Sequence, residues 1–361
     1  MVRMPPLPAD MIIQSHKGPY RVQFDPHAFD SLNAAPPKDV HVIIDQRVAQ
    51  LYADRLDKVL ALSSVLHIDA TETAKSLECF PAYVQHLVGK GLRRDHVLLA
   101  IGGGIIQDIT CFLAATMLRG VDWHFIPTTL LAQCDSCIGS KSSINCGDAK
   151  NILGTFTPPR QVTIATPLLA TLDERDVRSG VGEMLKVHAI AGPDQLARFA
   201  QGYEHLFADH AAMEAAIASS LAIKKDHIEQ DEFDQGPRLV FNLGHSFGHA
   251  IEAATDFAVP HGIAVTVGLD MANWISWRLG IGMESHWTAF HPVLSRNYRG
   301  YQDHPVPVDR FLAALAKDKK NTGSGSVTLI LPDAQGRVFR GVHALDDTFT
   351  ALCRTYLEKV R

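Results

Sequence analysis

The apolar run Val97-Leu98-Leu99-Ala100-Ile101 leads without a break into Gly102-Gly103-Gly104, and a helical pattern from Ile105 to Met117 follows. A strand that ends in a glycine turn and opens a helix is the unit of a parallel sheet, because parallel neighbours need a crossover between them. The flanking sequence repeats that unit. Asp39–Asp45 (DVHVIID) reads as a buried strand, and a helical stretch runs from Arg47 to about Leu62. Val65–Ile68 reads as a second strand. Thr73 to Gly91 has helical spacing, with Leu77, Phe80, Val84 and Leu87 on one face, and Trp123–Ile126 is strand-like. The expected architecture is an α/β layer with parallel strands.

Near Thr166 the helical patterns lengthen: Asp173–Ala191, Pro193–Phe207, Ala211–Gln230, His245–Ala254 and Ile263–Leu279. A hairpin, Val327–Leu331 with Arg337–Arg340, and a helix from about Asp346 to Val360 close the chain. A length of 361 residues suggests two domains. The boundary falls near 165, giving an α/β half, 1–165, and a mainly helical half, 166–361.

Composition excludes several classes. Lys plus Arg is 34 against 39 for Asp plus Glu, a formal net charge of −5, so the chain as a whole carries no basic footprint for nucleic acid. Six cysteines are too sparse for a disulfide scaffold. The opening MVRMPPLPADMIIQ lacks the apolar core of a signal peptide, and no apolar run approaches the roughly 18 residues of a membrane span. A soluble, cytoplasmic protein with reduced cysteines is expected. Histidine is the unusual count, at 18.

Glycines at a strand-to-helix junction let backbone approach a phosphate, and the helix N-terminus adds free N–H groups. The turn at 102–104 is either such a cradle or a plain tight turn; the dinucleotide fingerprint fails at Gln107. Asp45, ending an earlier strand, suits a ribose hydroxyl or simply a turn. From Pro127 to Asn151, Thr128, Thr129, Asp135, Lys141 and Lys150 bring hydroxyls, a carboxylate and two lysines together. Lysines with backbone donors suit a phosphorylated ligand, and a solvated loop is the alternative. Cys134-x-x-Cys137 has no second pair and reads as buried cysteine.

The segment Asn242–His249 (NLGHSFGH) is the most informative. His245 and His249, four apart, share one helical face. Ser246 stands where a peptidase motif has glutamate, so that chemistry is disfavoured. His261 follows, and an upstream helix carries Glu183 and Lys186. Two histidines and a glutamate make a common catalytic zinc shell. Arg238, seven residues before His245, suits bidentate recognition of a carboxylate or phosphate.

The stretches IGGGIIQD, FLAATMLRG, PTTLLAQCDSCIGSKSSIN, AKNILGTF, GEMLK, NLGHSFGHAIE and HGIAV, with DKK at 318–320, together resemble the 3-dehydroquinate synthase family of sugar phosphate cyclases. The resemblance implies an N-terminal NAD-binding α/β domain, a C-terminal helical domain that holds zinc or another divalent metal such as cobalt, a site between them, and a homodimer. It implies Glu183, His245 and His261 as metal ligands. Asp45, Glu72, Lys75, Gly103, Gly104, Asp108, Thr128 and Thr129 match NAD-contacting positions. Asp135, Lys141, Lys150, Asn151, Lys186, Lys224, Arg238, Asn242 and His249 match the substrate pocket, joined by one or both of Lys319 and Lys320, and Arg119 matches an arginine that reaches the partner's site. The implied reaction is redox-neutral: NAD removes and returns a hydride, phosphate is eliminated, and a carbocycle closes. Lys141, Asn151 and His249 would hold phosphate, Lys224 and Arg238 a carboxylate.

Gln107, Cys137, Ser140 and His188 depart from the family pattern. They resemble a divergent branch, whereas Lys224, Arg238, Asn242 and His249 match the positions that read an acid substrate. The expected substrate is therefore a 2-keto-3-deoxy-heptulosonate 7-phosphate. The alternatives are a sister cyclase acting on sedoheptulose 7-phosphate or another sugar phosphate and, further off, a metal-dependent polyol or alcohol dehydrogenase.

Overall fold

The structure is a computed structural model and describes residues 8–318 and 325–361; Lys319 and Lys320 lie outside the described residues. The chain forms two compact units. The first comprises the residues up to Leu172 together with Lys224–Phe233, and the second comprises Asp173–Ile223 with Asp234–Arg361.

The first unit is built on a sheet of seven strands. These are β1 (Met11–Ile13), β2 (Tyr20–Phe24), β3 (Val40–Asp45), β4 (Leu66–Ile68), β5 (Val97–Gly102), β6 (Asp122–Pro127) and, after a separate hairpin of β7 (Ile144–Cys146) and β8 (Ala149–Leu153), β9 (Gln161–Ile164). Their order is β1-β2-β9-β6-β5-β3-β4. Every pairing in this sheet is parallel except β1 with β2. Ile43, Ile44, Ala100, Ile101 and Phe125 are fully buried, as expected of central parallel strands covered on both faces. The glycine turn ends β5 and opens the helix Gly104–Thr116, at the carboxyl end of the strands where ligands bind in such sheets.

Two helices expected from periodicity are interrupted. The stretch after β3 is helix Gln46–Leu51, a 3-10 turn Ala53–Arg55 and helix Asp57–Leu60. Val48, Ala49, Tyr52, Leu56 and Val59 still bury into one cluster, so the apolar rhythm survives the breaks. Before Phe80 the backbone makes two 3-10 turns, Glu72–Lys75 and Leu77–Cys79, with Ser76 bridged to Asn145 between them; the helix Phe80–Gly89 carries Pro81 in its first turn.

The long helix His210–Gln230 is divided between the units. Its last turns and the residues after it are fastened within the first unit. Gln14 N–H donates to Glu229 (2.8 Å), His16 N–H to Glu232 (2.7 Å), and Phe233 packs edge-on against Phe156 (5.0 Å). Lys224 therefore belongs with Asp135, a partnership that sequence distance conceals.

The second unit is helical, with one hairpin, β10 (Ser326–Pro332) and β11 (Val338–Ala344). Helix His261–Arg278 is its axis: from Gly262 to Ser276 every residue is buried, as in a helix surrounded by others. The fully buried Asp270 on this helix accepts hydrogen bonds at one oxygen from Tyr298 (2.9 Å) and Tyr356 (2.7 Å), and faces His291 Nδ1 at 2.8 Å. Asp270 holds the His291 imidazole above its ordinary pKa, against partial burial. A raised folded-state value adds stability that is full below the unfolded histidine pKa and is lost as pH rises through the folded one. Relative to wild type, His291→Asn is expected to lower the melting temperature most near pH 6 and least near pH 9, which thermal melts across that range would check.

Candidate active site

Three segments of the second unit that carry candidate metal ligands meet because two pairs of glycines remove the side chains between their helices. Helix Glu174–Ile190 crosses helix His261–Arg278 at Gly182 and Gly262. A Cβ on Gly182 would overlap the Gly262 carbonyl oxygen, and one on Gly262 would overlap that of Ser179. Glu183 follows the first glycine and His261 precedes the second, so this backbone contact brings the two side chains together. Gly244, with φ +74°, turns the chain into helix His245–Ala254 and packs on the same axial helix through Gly268.

The result is a convergent donor set. Glu183 Oε1 lies 3.3 Å from His261 Nε2 and 3.7 Å from His245 Nε2. In a tetrahedral zinc site with bonds near 2.05 Å, neighbouring ligand atoms stand about 3.3 Å apart. Each histidine uses its other nitrogen as a donor: His245 Nδ1 to the Leu243 carbonyl (3.2 Å), His261 Nδ1 to Glu252 (3.2 Å). That outer contact fixes the tautomer and leaves Nε2 as the ligand atom. A second set, His245, His249 and His261, has ligand atoms within 4.8 Å of one another. Glu183 and His249 are thus the two candidates for a third ligand beside His245 and His261. These residues fit a divalent metal by donor type, spacing and outer partners.

Lys186, one turn beyond Glu183, places Nζ 2.6 Å from Glu183 Oε2, and both side chains are almost wholly buried. Burial would raise the Glu183 carboxyl; Lys186 and the two histidines outweigh it and hold it well below the carboxylate range. Burial, reinforced by Lys186 and the neighbouring histidines, keeps His245 neutral despite Glu183. At His261 the two carboxylates, Glu183 and Glu252, overcome burial and push the pKa up to about 10, so a divalent metal at Nε2 would take the place of a proton. Arg238 is buried in the 3-10 turn Pro237–Asn242 that leads into Gly244, and Asn242 Nδ2 donates to Leu239 O (3.1 Å) in that turn.

In the first unit the glycine turn is shaped by its neighbours. A Cβ on Gly103 would come within 2.9 Å of the Thr129 methyl, whereas one on Gly104 would meet only open space. The Thr128 N–H donates to Gly102 O (2.9 Å), and Thr129 Oγ1 accepts from Ala132 N–H (3.3 Å). Protein packing thus accounts for the first glycine and leaves room above Gly104 at a helix N-terminus, which fits a dinucleotide phosphate. Asp45 caps the next helix by accepting from Arg47 N–H (2.9 Å).

Lys75, Asp108 and Asn151 form one network. Lys75 Nζ donates to Asp108 (3.1 Å) and Asn151 (3.0 Å) and lies 3.6 Å from Glu72. Burial raises the Asp108 carboxyl to about 6, against the pull of Lys75. Two residues of this network had no assigned role from sequence. Asn145 bonds Glu72 (2.8 Å) and the Asn151 N–H (2.8 Å), and Ser143 N–H donates to Asp108 (3.0 Å). Both sit inside the stretch Pro127–Asn145 that carries part of the family resemblance, the one signal that marks them.

Asp135 lies in the π-helical turn Ala132–Ser136, a geometry frequent at functional sites. Lys224 Nζ is 3.0 Å from its carboxylate and donates to its carbonyl at 2.6 Å. Lys141 and Lys150 are exposed, the latter on β8. Arg119 stands at φ +65° just after the helix Gly104–Thr116.

The departures find local explanations. His188 Nδ1 donates to Met184 O (2.8 Å), Nε2 faces Ser219 Oγ (3.1 Å), and the ring lies 4.3 Å from that of Phe199: a buried fastener rather than a ligand. Cys137 is buried and its thiol pushed up to about 12 by burial, so it stays protonated. Ser140 is buried and its carbonyl accepts from Thr157 N–H (2.6 Å). All six cysteines are free thiols.

The family described as 3-dehydroquinate synthase N-terminal matches residues 65–179, and its C-terminal counterpart matches 180–321. The chain belongs to the 3-dehydroquinate synthase family. It is 40% identical over 263 residues to a 3-dehydroquinate synthase of Xylella fastidiosa (strain M12), covering 69% of this chain and 71% of that protein. Among solved structures, 2-epi-5-epi-valiolone synthase from Streptomyces hygroscopicus subsp. jinggangensis 5008, with NAD+ and Zn2+ bound, is similar with a TM-score of 0.81 at 26% identity, covering 94% of this chain and 97% of the other. A 2-deoxy-scyllo-inosose synthase complexed with carbaglucose-6-phosphate, NAD+ and Co2+ has the same fold, with a TM-score of 0.81 at 24% identity over 96% and 99% of the two chains. The fold is that of these cyclases: an N-terminal α/β domain and a C-terminal helical domain.

Proposed function

We propose that the chain is a NAD- and divalent-metal-dependent cyclase that eliminates phosphate from a 2-keto-3-deoxy-heptulosonate 7-phosphate and closes its carbon chain to 3-dehydroquinate. The observation that carries this reading is the 40% identity to a 3-dehydroquinate synthase, against 24–26% for the solved cyclases with other products. Glu183, His245 and His261 would hold zinc or cobalt, and Gly103, Gly104, Asp108, Thr128, Thr129, Asp45, Glu72 and Lys75 would hold NAD. When bound, the metal supplies a Lewis acid and the dinucleotide a reversible hydride acceptor.

The chain's own groups bind and orient the substrate. Lys224 and Arg238 suit its carboxylate, and Lys141, Lys150, Asn151 and His249 its phosphate. Lys186 and Asp135 orient ring hydroxyls, and exclusion of water protects the reactive carbanionic stage. Arg119 would act on a second copy's site in a homodimer. We place the enzyme in the cytoplasm with other enzymes of small-molecule metabolism; among the described residues no helix is long and apolar enough to cross a membrane.

One observation keeps the sister reading alive. Lys224, a cation assigned to the carboxylate, is already engaged by both the side chain and the carbonyl of Asp135. The purified protein with NAD and Zn2+ or Co2+ is expected to release inorganic phosphate from the acid substrate. Release from sedoheptulose 7-phosphate and none from the acid would replace the first reading with the second. Net NADH formation from a simple polyol would replace both with a dehydrogenase.

A further inference from the structure

Gln107 stands in the first turn of the helix opened by the glycine turn, three residues after Gly104, and is buried. Its side chain makes a two-way contact with one residue, 29 positions on. Nε2 donates to the Ser136 carbonyl at 2.6 Å, and Oε1 accepts from Ser136 Oγ at 2.6 Å. Ser136 ends the π-helical turn that carries Asp135, and Asp135 holds Lys224. The other end of that turn is fixed by Gln133, whose Nε2 donates to Pro127 O and Ala165 O, both at 3.0 Å. A glycine at 107 could make neither contact with Ser136.

We propose that Gln107 is a positioning residue: through Ser136 it sets the Asp135–Lys224 pair and thereby the affinity for the anionic substrate, and it ties that pair to the helix that begins at the cofactor turn. The inference rests on the cyclase reading above. Both bonds are short and part-buried, so losing them takes from Ser136 the partners of its carbonyl and hydroxyl at a site only partly open to water. Alanine keeps the helix, being its best former.

Gln107→Ala is expected to raise KM for the phosphorylated substrate about tenfold, with kcat changed less than threefold and NAD affinity less than twofold. Gln107→Glu has the same size and still accepts from Ser136 Oγ, but its carboxylate faces the Ser136 carbonyl. Its KM penalty, as a ratio to wild type, should shrink as pH falls and the carboxyl gains a proton that it can donate. A side chain that merely filled space would give a wild-type KM for Gln107→Glu at every pH, and that result overturns the proposal. Amide hydrogen exchange of residues 132–137, faster in Gln107→Ala than in wild type, reads the contact without turnover. Faster exchange with unchanged KM, or unchanged exchange, also overturns it. Failure of wild type to release phosphate from any sugar phosphate while exchange still responds would count against the cyclase reading itself.

Discussion

Gly262→Ala is expected to strip the protein of bound metal and to lower its stability by about 3 kcal/mol. The new Cβ would overlap the Ser179 carbonyl oxygen and stand 2.8 Å from Ser179 Oγ. Backbone cannot rotate out of the way as a side chain can, so the two helices must move apart. Overpacking of this kind commonly costs 1–3 kcal/mol, and a backbone obstacle places it at the upper end. Separation acts directly on the ligands. Glu183 is carried by one helix and His261 by the other, and their 3.3 Å approach cannot be kept. Serine at 179 also loses its bond to the Gly262 N–H (2.9 Å), which now fixes the start of the axial helix. Metal content after zinc loading and dialysis, with a thermal melt, would measure both effects. Gly89→Ala is the control, since nothing lies within 4 Å of its added Cβ. Full metal content in Gly262→Ala would mean that the helix crossing does not set the ligand geometry.

Much of this arrangement was legible in the sequence, and the parts that were not share a cause. The helix His210–Gln230 follows from periodicity because it buries one face over several turns, with Met213, Ile217, Leu221 and Ile228 inward, whereas Glu174–Ile190 and His261–Arg278 are buried almost all round and are marked by the length of their helical runs. Strand β5 and its glycine turn were legible for the same local reason. Strand β2 is faint in the sequence although Tyr20, Val22 and Phe24 alternate with Arg21 and Gln23; five residues give a weak signal, and the pairing with β9 that confirms it spans most of the unit. The helix Glu284–Asn297 was obscured by Pro292 within it. In the site, His245 and His249 share a face through spacing alone. Glu183 meets His261 only through a crossing of glycines that no local pattern reveals. Gln107 could be seen as an oddity; its meaning lies in Ser136, and such a contact is a product of tertiary packing.

Glu183→Gln is expected to abolish metal retention and reduce turnover by about a thousandfold or more, and to destabilise the protein in a way that a second change repairs. Glutamine keeps the volume but not the charge. Lys186, 2.6 Å away and 2% exposed, then loses the Glu183 charge beside it. Breaking one side of a buried ion pair costs about 3–5 kcal/mol, whereas replacing both sides with neutral groups is often close to neutral. The double variant Glu183→Gln/Lys186→Met should therefore recover most of the lost melting temperature. It should recover no metal, because Oε1 was one of three converging donors, and a catalytic zinc site with an open position needs all three. Stability and metal content thus separate in the same pair of proteins. Denaturant unfolding reports the first, and metal analysis with a phosphate-release assay reports the second. If Glu183→Gln retained metal at wild-type levels, the third ligand would have to be His249, whose ligand atom lies within 4.8 Å of those of His245 and His261. His249→Ala would then lose the metal that Glu183→Gln keeps, a reversal that only one of the two ligand sets can produce.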